Sequence, residues 1–274
     1  MRRRRFAGVL ACAAAFLLTG CFQSSILVKL NPDGSGTIEQ TLSMATQTIE
    51  QLKALAAMDA DKKGADADTN ELFSVERAKA AAAKMGTGVS FVSASKANTQ
   101  GRTGLKAVYA FKDIRTLALN AMPPSFAADL SNKVSDPMSL SFTQLPNGHA
   151  LLTIKNDETA ADMMPMKPAA GAPARPARGG GADDEAQAMV KAMLGGLKVD
   201  LAIQVGHVIK TNIPYVIGST VTVISVDFDQ VLANTAAFDK LDKAQTPVEM
   251  KAALRSVKGI KINVEPELKI EFTK

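Results

Sequence analysis

From Ile260 to Phe272 apolar and polar residues alternate without a break. Even positions hold Ile, Val, Leu, Phe or Pro, and odd positions hold Lys, Asn or Glu. Side chains of a strand point alternately to its two faces, so this period describes a strand with one face on a core and one in water. Pro266 cannot donate a ladder hydrogen bond, so it marks an edge or a bulge. Leu197 to Val205 repeats the pattern, with Val199, Leu201 and Ile203 separated by Asp200 and Ala202. Shorter strand signals cover 25–30, 37–44, 89–95, 105–111, 138–144, 149–155 and 220–228. Residues 31–36, NPDGSG, form a turn in which Pro32 presets φ while Gly34 and Gly36 allow positive φ. Pro146, Asn147 and Gly148 close another hairpin.

Helical periodicity is sparser. Ile49, Leu52, Leu55 and Ala56 share one face of a helix over 46–58. Leu72, Val75, Ala78, Ala82 and Met85 line a second over 71–85, with Gly86 just past its end. A short helix fits 184–194. Thr246 and Glu249 make a capping box, with Pro247 in the first turn of a helix that stops before Gly259. Strands and helices do not alternate as βαβα. The expected class is therefore α+β, an antiparallel sheet with helices packed on one face.

The other constraint lies at the N-terminus. Arg2 to Arg5 precede an apolar run from Phe6 to Leu18, and Leu18, Thr19, Gly20 and Cys21 follow. A basic start, a short apolar core and small residues at a cut site describe a secretory signal peptide. The run is too short for a bilayer, which needs about 20 apolar residues. Its last four residues resemble the bacterial lipobox. That resemblance implies cleavage between Gly20 and Cys21, diacylglycerol on the Cys21 thiol and acylation of the new amine. The expected organisation is a signal peptide at 1–20, a lipidated Cys and short tether at 21–24, and one domain over 25–274. A Pro/Ala/Gly-rich insertion at about 163–182, expected to be disordered, interrupts that domain.

Removing the leader removes four arginines, so 32 basic residues become 28 against 27 acidic ones, a formal +1. That balance gives no case for nucleic acid binding, which needs a basic stripe. Cys12 leaves with the leader, so the mature chain has no disulfide, thiol catalyst or Cys-based metal site.

Candidate chemistry is thin. Asp59, Asp61 and Gly64 fit an EF-hand-type loop, but Lys63 and Asn70 fall where carboxylates are needed. The loop reads as a solvated connection. His149 and His207 are the only histidines; distant in sequence and without Cys, they make a poor zinc set. His149 reads as a hairpin surface residue and His207 as a packing residue. Asp227 and Asp229 could pair, but Asp229 reads as a helix cap. Met163, Met164, Met166, Met189 and Met193 read as linker and slim-helix packing, or as a mobile amphipathic segment. No cofactor, metal or catalytic residue is expected, and the chain reads as not an enzyme.

Two segments together resemble a known group. Residues 28–37, VKLNPDGSGT, are similar to the opening of uncharacterised bacterial lipoproteins, including the mycobacterial LppM-type domain. Residues 206–212, GHVIKTN, then Gly218 and a strand over 220–226, resemble the end of that domain. The chain departs from the pattern in lacking Trp, in the insertion and in the tail beyond Phe228. The resemblance implies a membrane-anchored domain, with no established enzymatic activity, that contacts lipids or glycolipids. It supplies no catalytic residues. Gly34, Gly36, Gly206 and Gly218 are expected to serve backbone geometry, and Asn212 to close a turn through its side chain.

The expectation is thus an envelope lipoprotein with a binding or structural role, its partner a lipid, glycolipid or envelope protein. Phe22 after Cys21, rather than Asp, favours the outer membrane facing the periplasm. The alternative is a carrier of a hydrophobic ligand between sheet and helices; a hydrolase comes third.

Overall fold

The computed structural model describes residues 22–59, 73–99, 101–120, 138–155, 195–233, 247–263 and 265–274. In chain order these form β1 (Phe22–Leu30), β2 (Gly36–Ala45), α1 (Thr46–Asp59), α2 (Val75–Ala82), β3 (Ser90–Lys96) and β4 (Arg102–Phe111). A 3-10 turn at Ile114–Thr116, β5 (Ser139–Gln144), β6 (Ala150–Lys155), β7 (Lys198–Gln204) and β8 (His207–Thr211) follow. The last elements are β9 (Val216–Ile217), β10 (Thr220–Asp227), α3 (Phe228–Leu232), α4 (Pro247–Ser256), β11 (Ile260–Ile262) and β12 (Glu267–Thr273).

The α+β class holds, but the single antiparallel sheet does not. An eight-stranded sheet runs β11-β10-β7-β1-β2-β4-β3, with β9 also on β10, and a separate four-stranded sheet runs β5-β6-β12-β8. The large sheet is mixed, because β1 and β7 pair in parallel from Gln23 opposite Lys198 to Lys29 opposite Gln204. All pairs of the small sheet are antiparallel. Helix α2 packs on β3 and β4, and α4 on β11.

Alternation decides the faces. Val28, Ile38, Tyr109, Leu201, Ile203 and Val221 stand on the buried face of the large sheet. Leu152, Ile154, Leu268, Ile270 and Phe272 fill that of the small one, and both sets belong to one apolar core. Each such side chain contributes about 1.5–3 kcal/mol through removal from water. The opposite face of the large sheet is polar. There Glu39 bridges Lys29 and Lys106, the latter at 2.7 Å. The Lys106 hydrogen bond first, then that of Lys29, holds the Glu39 carboxyl below its ordinary range.

The clearest correction concerns 260–272. Its described even positions, Ile260, Ile262, Leu268, Ile270 and Phe272, are buried as the alternation requires, and Pro266 is exposed. Yet it is two strands, not one. Ile260–Ile262 pairs with β10 in the large sheet, and Glu267–Thr273 sits between β6 and β8 in the small one. Pro266 stands where the chain leaves one sheet for the other, where no donor is required. Asn263, an odd position, is buried rather than solvated. Its Nδ2 donates to Thr222 O at 3.2 Å and Val223 O at 2.8 Å, carbonyls at the β10 bulge between Thr222 and Ile224.

Smaller differences have local causes. β1 starts at Phe22, three residues ahead of the expected Ser25, because Phe22 is buried with Met44 and Ile49 in a second apolar cluster. Helix α2 begins later than the pattern suggests, because the Ser74 hydroxyl caps it by accepting from Arg77 N. It ends at Ala82, before Gly86 (φ +136°). The insertion at 163–182, the helix expected at 184–194, the methionine cluster, Thr246 and all but the first residue of the acidic loop lie outside the described residues.

Candidate functional site

The two motifs that carry the resemblance meet the small sheet at its opposite edges. In the β1–β2 turn, Asn31 N donates to Ser35 O at 2.8 Å and Gly34 N to Asn31 O at 3.0 Å. Asp33 Oδ1 accepts from Ser35 N and Oγ. These bonds, the hydroxyl's first, hold the Asp33 carboxyl below its ordinary value. Gly34 has φ +88°, and a Cβ there would stand 3.1 Å from the Phe142 ring of β5. Its carbonyl accepts from Ile114 N at 2.9 Å, and Gln144 Nε2 donates to Pro32 O at 3.3 Å. The turn is thus docked on edge strand β5.

Gly36 departs from the expected reason. Its φ is not in the left-handed region; a Cβ there would instead lie 2.0 Å from Lys29 O and 2.7 Å from the Phe111 ring. Gly206 is likewise a close approach, with Thr273 O and Lys274 C each 2.4 Å from a Cβ. Gly218, φ +59°, is the left-handed residue of the β9–β10 turn. Gly20 and Cys21 lie outside the described residues.

Asn212 also corrects its expectation. Its side chain does not close its own turn. Nδ2 donates to Glu267 O and Oδ1 accepts from Lys269 N, both at 2.8 Å, which continues the ladder of β12 past the end of β8. The local turn is closed by Thr211, whose Oγ1 accepts from Ile213 N at 3.1 Å and donates to Lys269 O at 2.7 Å. Asn212→Ala is expected to cost about 1–2 kcal/mol, the net worth of two exposed bonds. Asn212→Asp should fail to rescue it, because a carboxylate oxygen would replace the donor facing Glu267 O. Urea unfolding of the two variants checks this, and wild-type stability in Asn212→Asp would refute the clamp.

The histidines come closer together than their sequence separation suggests. His207 pairs with Thr273, and His149 precedes Ala150, the partner of Phe272, so both flank the end of β12. His207 is exposed rather than packed. His149 is half-buried, with Nδ1 2.7 Å from Glu271 Oε1. That bond to His149 is the first cause of a lowered Glu271 pKa. Among the described residues no group of three or more His, Cys, Asp or Glu is placed to hold a metal ion. Asp227, not Asp229, caps α3 by accepting from Gln230 N at 3.3 Å. Asp229 reaches back to Gly196 N at 2.7 Å.

Sequence reasoning passed over the inner face of the large sheet. Ser24 and Tyr109 are buried, and neither Ser24 Oγ nor Tyr109 Oη has a hydrogen-bond partner among the described residues. Burial pushes the Tyr109 phenol up to about 12, so it remains a neutral donor. Gln40, also buried, lies diagonally between them: Ser24 pairs with Leu42, Gln40 with Ala107, and Ile38 with Tyr109. The band adjoins the small cluster of Phe22, Met44 and Ile49, which is separate from the main core. Buried polar groups without partners are rare and each carries a desolvation cost. The only signal in the sequence is a Ser, a Gln and a Tyr at strand positions reserved for apolar residues.

No family model matches the chain, and no curated protein does. Among solved structures it is similar to the folded domain of Mycobacterium tuberculosis LppM, determined by NMR. The identity is 13% and the TM-score 0.30, covering 74% of this chain and 81% of that one. This is a distant likeness to the kind of domain the two motifs resemble, and no residue role is carried over from it.

Proposed function

We propose that the chain is an envelope lipoprotein with a non-catalytic binding or structural role, anchored through lipid on Cys21. Its place is the outer membrane, facing the periplasm. The observation that carries this reading is the start of β1 at Phe22. β1 takes up Phe22, the residue bonded to Cys21, so an anchor on Cys21 would join the described sheet directly. No helix among the described residues is long and apolar enough to cross a membrane. Among the described residues, charged groups on the large sheet pair across neighbouring strands, as in Lys29, Glu39 and Lys106. That arrangement supports a binding or structural role.

A second reading, a carrier of a hydrophobic ligand with a polar end, is favoured by one observation. The hydroxyls of Ser24 and Tyr109, without hydrogen-bond partners among the described residues, lie on the inner face, Ser24 next to the small cluster of Phe22, Met44 and Ile49 and Tyr109 within the main core. A ligand's polar group there would relieve one of them.

One measurement tests both readings: intact mass, native and denatured, of the protein extracted from a bacterial envelope. The expected denatured mass lacks residues 1–20 and carries acyl chains, while Cys21→Ser keeps its leader. A mass starting at Met1 without lipid would overturn the anchor. A non-covalent lipid in the native spectrum, lost in Leu201→Asp, supports the carrier; a bare native mass removes it.

A further inference from the structure

We infer that the loop end of the large sheet next to Phe22 is the surface that rests on the lipid headgroups, and that the domain stands upright on it. The inference rests on the anchor at Cys21. Phe22 is bonded to Cys21, is buried, and is already the first ladder residue of β1, opposite Met44. No tether separates lipid from fold, so the end of the sheet at Phe22 is held within about one residue length, ~3.8 Å, of the acylated residue.

Register shows what shares that level. Met44 pairs with Thr103 and Ala45 with Arg102, so the β3–β4 turn with Asn98, Thr99 and Gly101 projects beyond Phe22. Gln23 pairs with Lys198, which puts Gly195 and Gly196 at the same end. Val226 pairs with Ile260, and Gly259 O accepts from Asp227 N, which adds Lys258 and Gly259. The first turns of α1, which leaves β2 at Thr46, and of α3, which leaves β10 at Phe228, stand at this end too, and the exposed side chains of the described rim, Gln47, Glu50, Asn98, Thr99, Asp229 and Lys258, are polar. Such a surface suits hydrated headgroups and not the hydrocarbon.

The opposite end is the apolar one. Thr220 pairs with Gln204, and Gln204 with Lys29, so the β9–β10 tip lies level with the far end of β1. Val216 is 36% and Ile217 76% exposed at that tip. Eight residue steps of about 3.3 Å separate Phe22 from Leu30, so roughly 26 Å part the two ends. An upright domain therefore holds Ile217 away from the bilayer that anchors it. The outer face of the sheet carries the Lys29–Glu39–Lys106 and Lys198–Asp200–Asp227 groups, and among the described residues of the large sheet the one large exposed apolar side chain away from the β9–β10 tip is Val92 on edge strand β3.

The mature chain has no thiol besides the acylated Cys21, so single labels are specific. Thr99→Cys and Ile217→Cys, both at exposed turns, are made in the lipidated full chain and labelled with a small fluorophore. Each is reconstituted into vesicles of phosphatidylethanolamine and phosphatidylglycerol doped with a headgroup nitroxide lipid. The expected result is severalfold stronger quenching at 99 than at 217. Equal quenching would show a flat domain, and stronger quenching at 217 an inserted apolar tip; either overturns the proposal. Vesicle flotation and the mass of Cys21 separate the two levels. Floating, acylated protein without quenching at 99 sinks the orientation alone. Protein that neither floats nor carries lipid sinks the anchor and the orientation with it.

Discussion

Phe272→Ala should lower the stability of the domain by about 3–5 kcal/mol, the range for deleting a fully buried aromatic side chain. Phe272 has no exposed surface and lies on β12, which pairs with β6 through Ala150 and with β8 through Val208. Its ring centroid is 6.5 Å from that of Phe142, the residue on which the Gly34 turn rests. Truncation opens space where both edges of the small sheet depend on the same strand. Neither Ala150 nor Gly206 can fill it, the first being too small and the second already in close backbone contact. For a domain of this size the loss corresponds to about 10 °C in Tm. Phe142→Ala, at a half-buried position, should cost less. Thermal and urea unfolding followed by circular dichroism give both values. A loss below about 1 kcal/mol for Phe272→Ala would mean that the small sheet is not joined to the main core.

The strands were legible because their signal is local. Period-2 alternation located β7, the even face of 260–272 and the β1–β2 and β5–β6 hairpins, each within a few residues. What stayed hidden was every partner far along the chain. Nothing near Ser25 says that β1 takes β7 as a parallel neighbour some 170 residues later. The alternation of 260–272 reads the same on both sides of Pro266, although its two halves serve different sheets. Asn212 looked like a turn residue because its partners, Glu267 and Lys269, are 55 and 57 residues away. The expected site, Gly20 and Cys21, is an address rather than chemistry, and it lies outside the described residues. Ser24 falls in the expected tether, and Gln40 and Tyr109 fall in expected strands; none is singled out, because polarity on an inner face is visible only once the face is known.

Gly36 shows the same dependence on a non-local neighbour, and Gly36→Ala is expected to destabilise by about 3 kcal/mol or more, at the upper end of overpacking. The cause is space and not backbone freedom. The new methyl would stand 2.0 Å from Lys29 O and 2.7 Å from the Phe111 ring. The ring could turn aside, but the carbonyl could not. Lys29 pairs with Thr37 on one side and Gln204 on the other, so β1 is held from both edges at that point. Relief would require the β1–β2 ladder to open beside the Gly34 turn, which would lift that turn from Phe142. Gly101→Ala is the matched control. Gly101 has φ +75° but nothing within 4 Å of a Cβ, so it should lose only the left-handed penalty, about 1–2 kcal/mol. Urea unfolding of the pair separates the two causes. If Gly101→Ala costs as much as Gly36→Ala, close approach is not why glycine stands at 36. A greater loss at Gly36 would show that the turn sequence is shaped by the strands it joins, and that the docked hairpin which carries Phe22 tolerates no added atom at its far end.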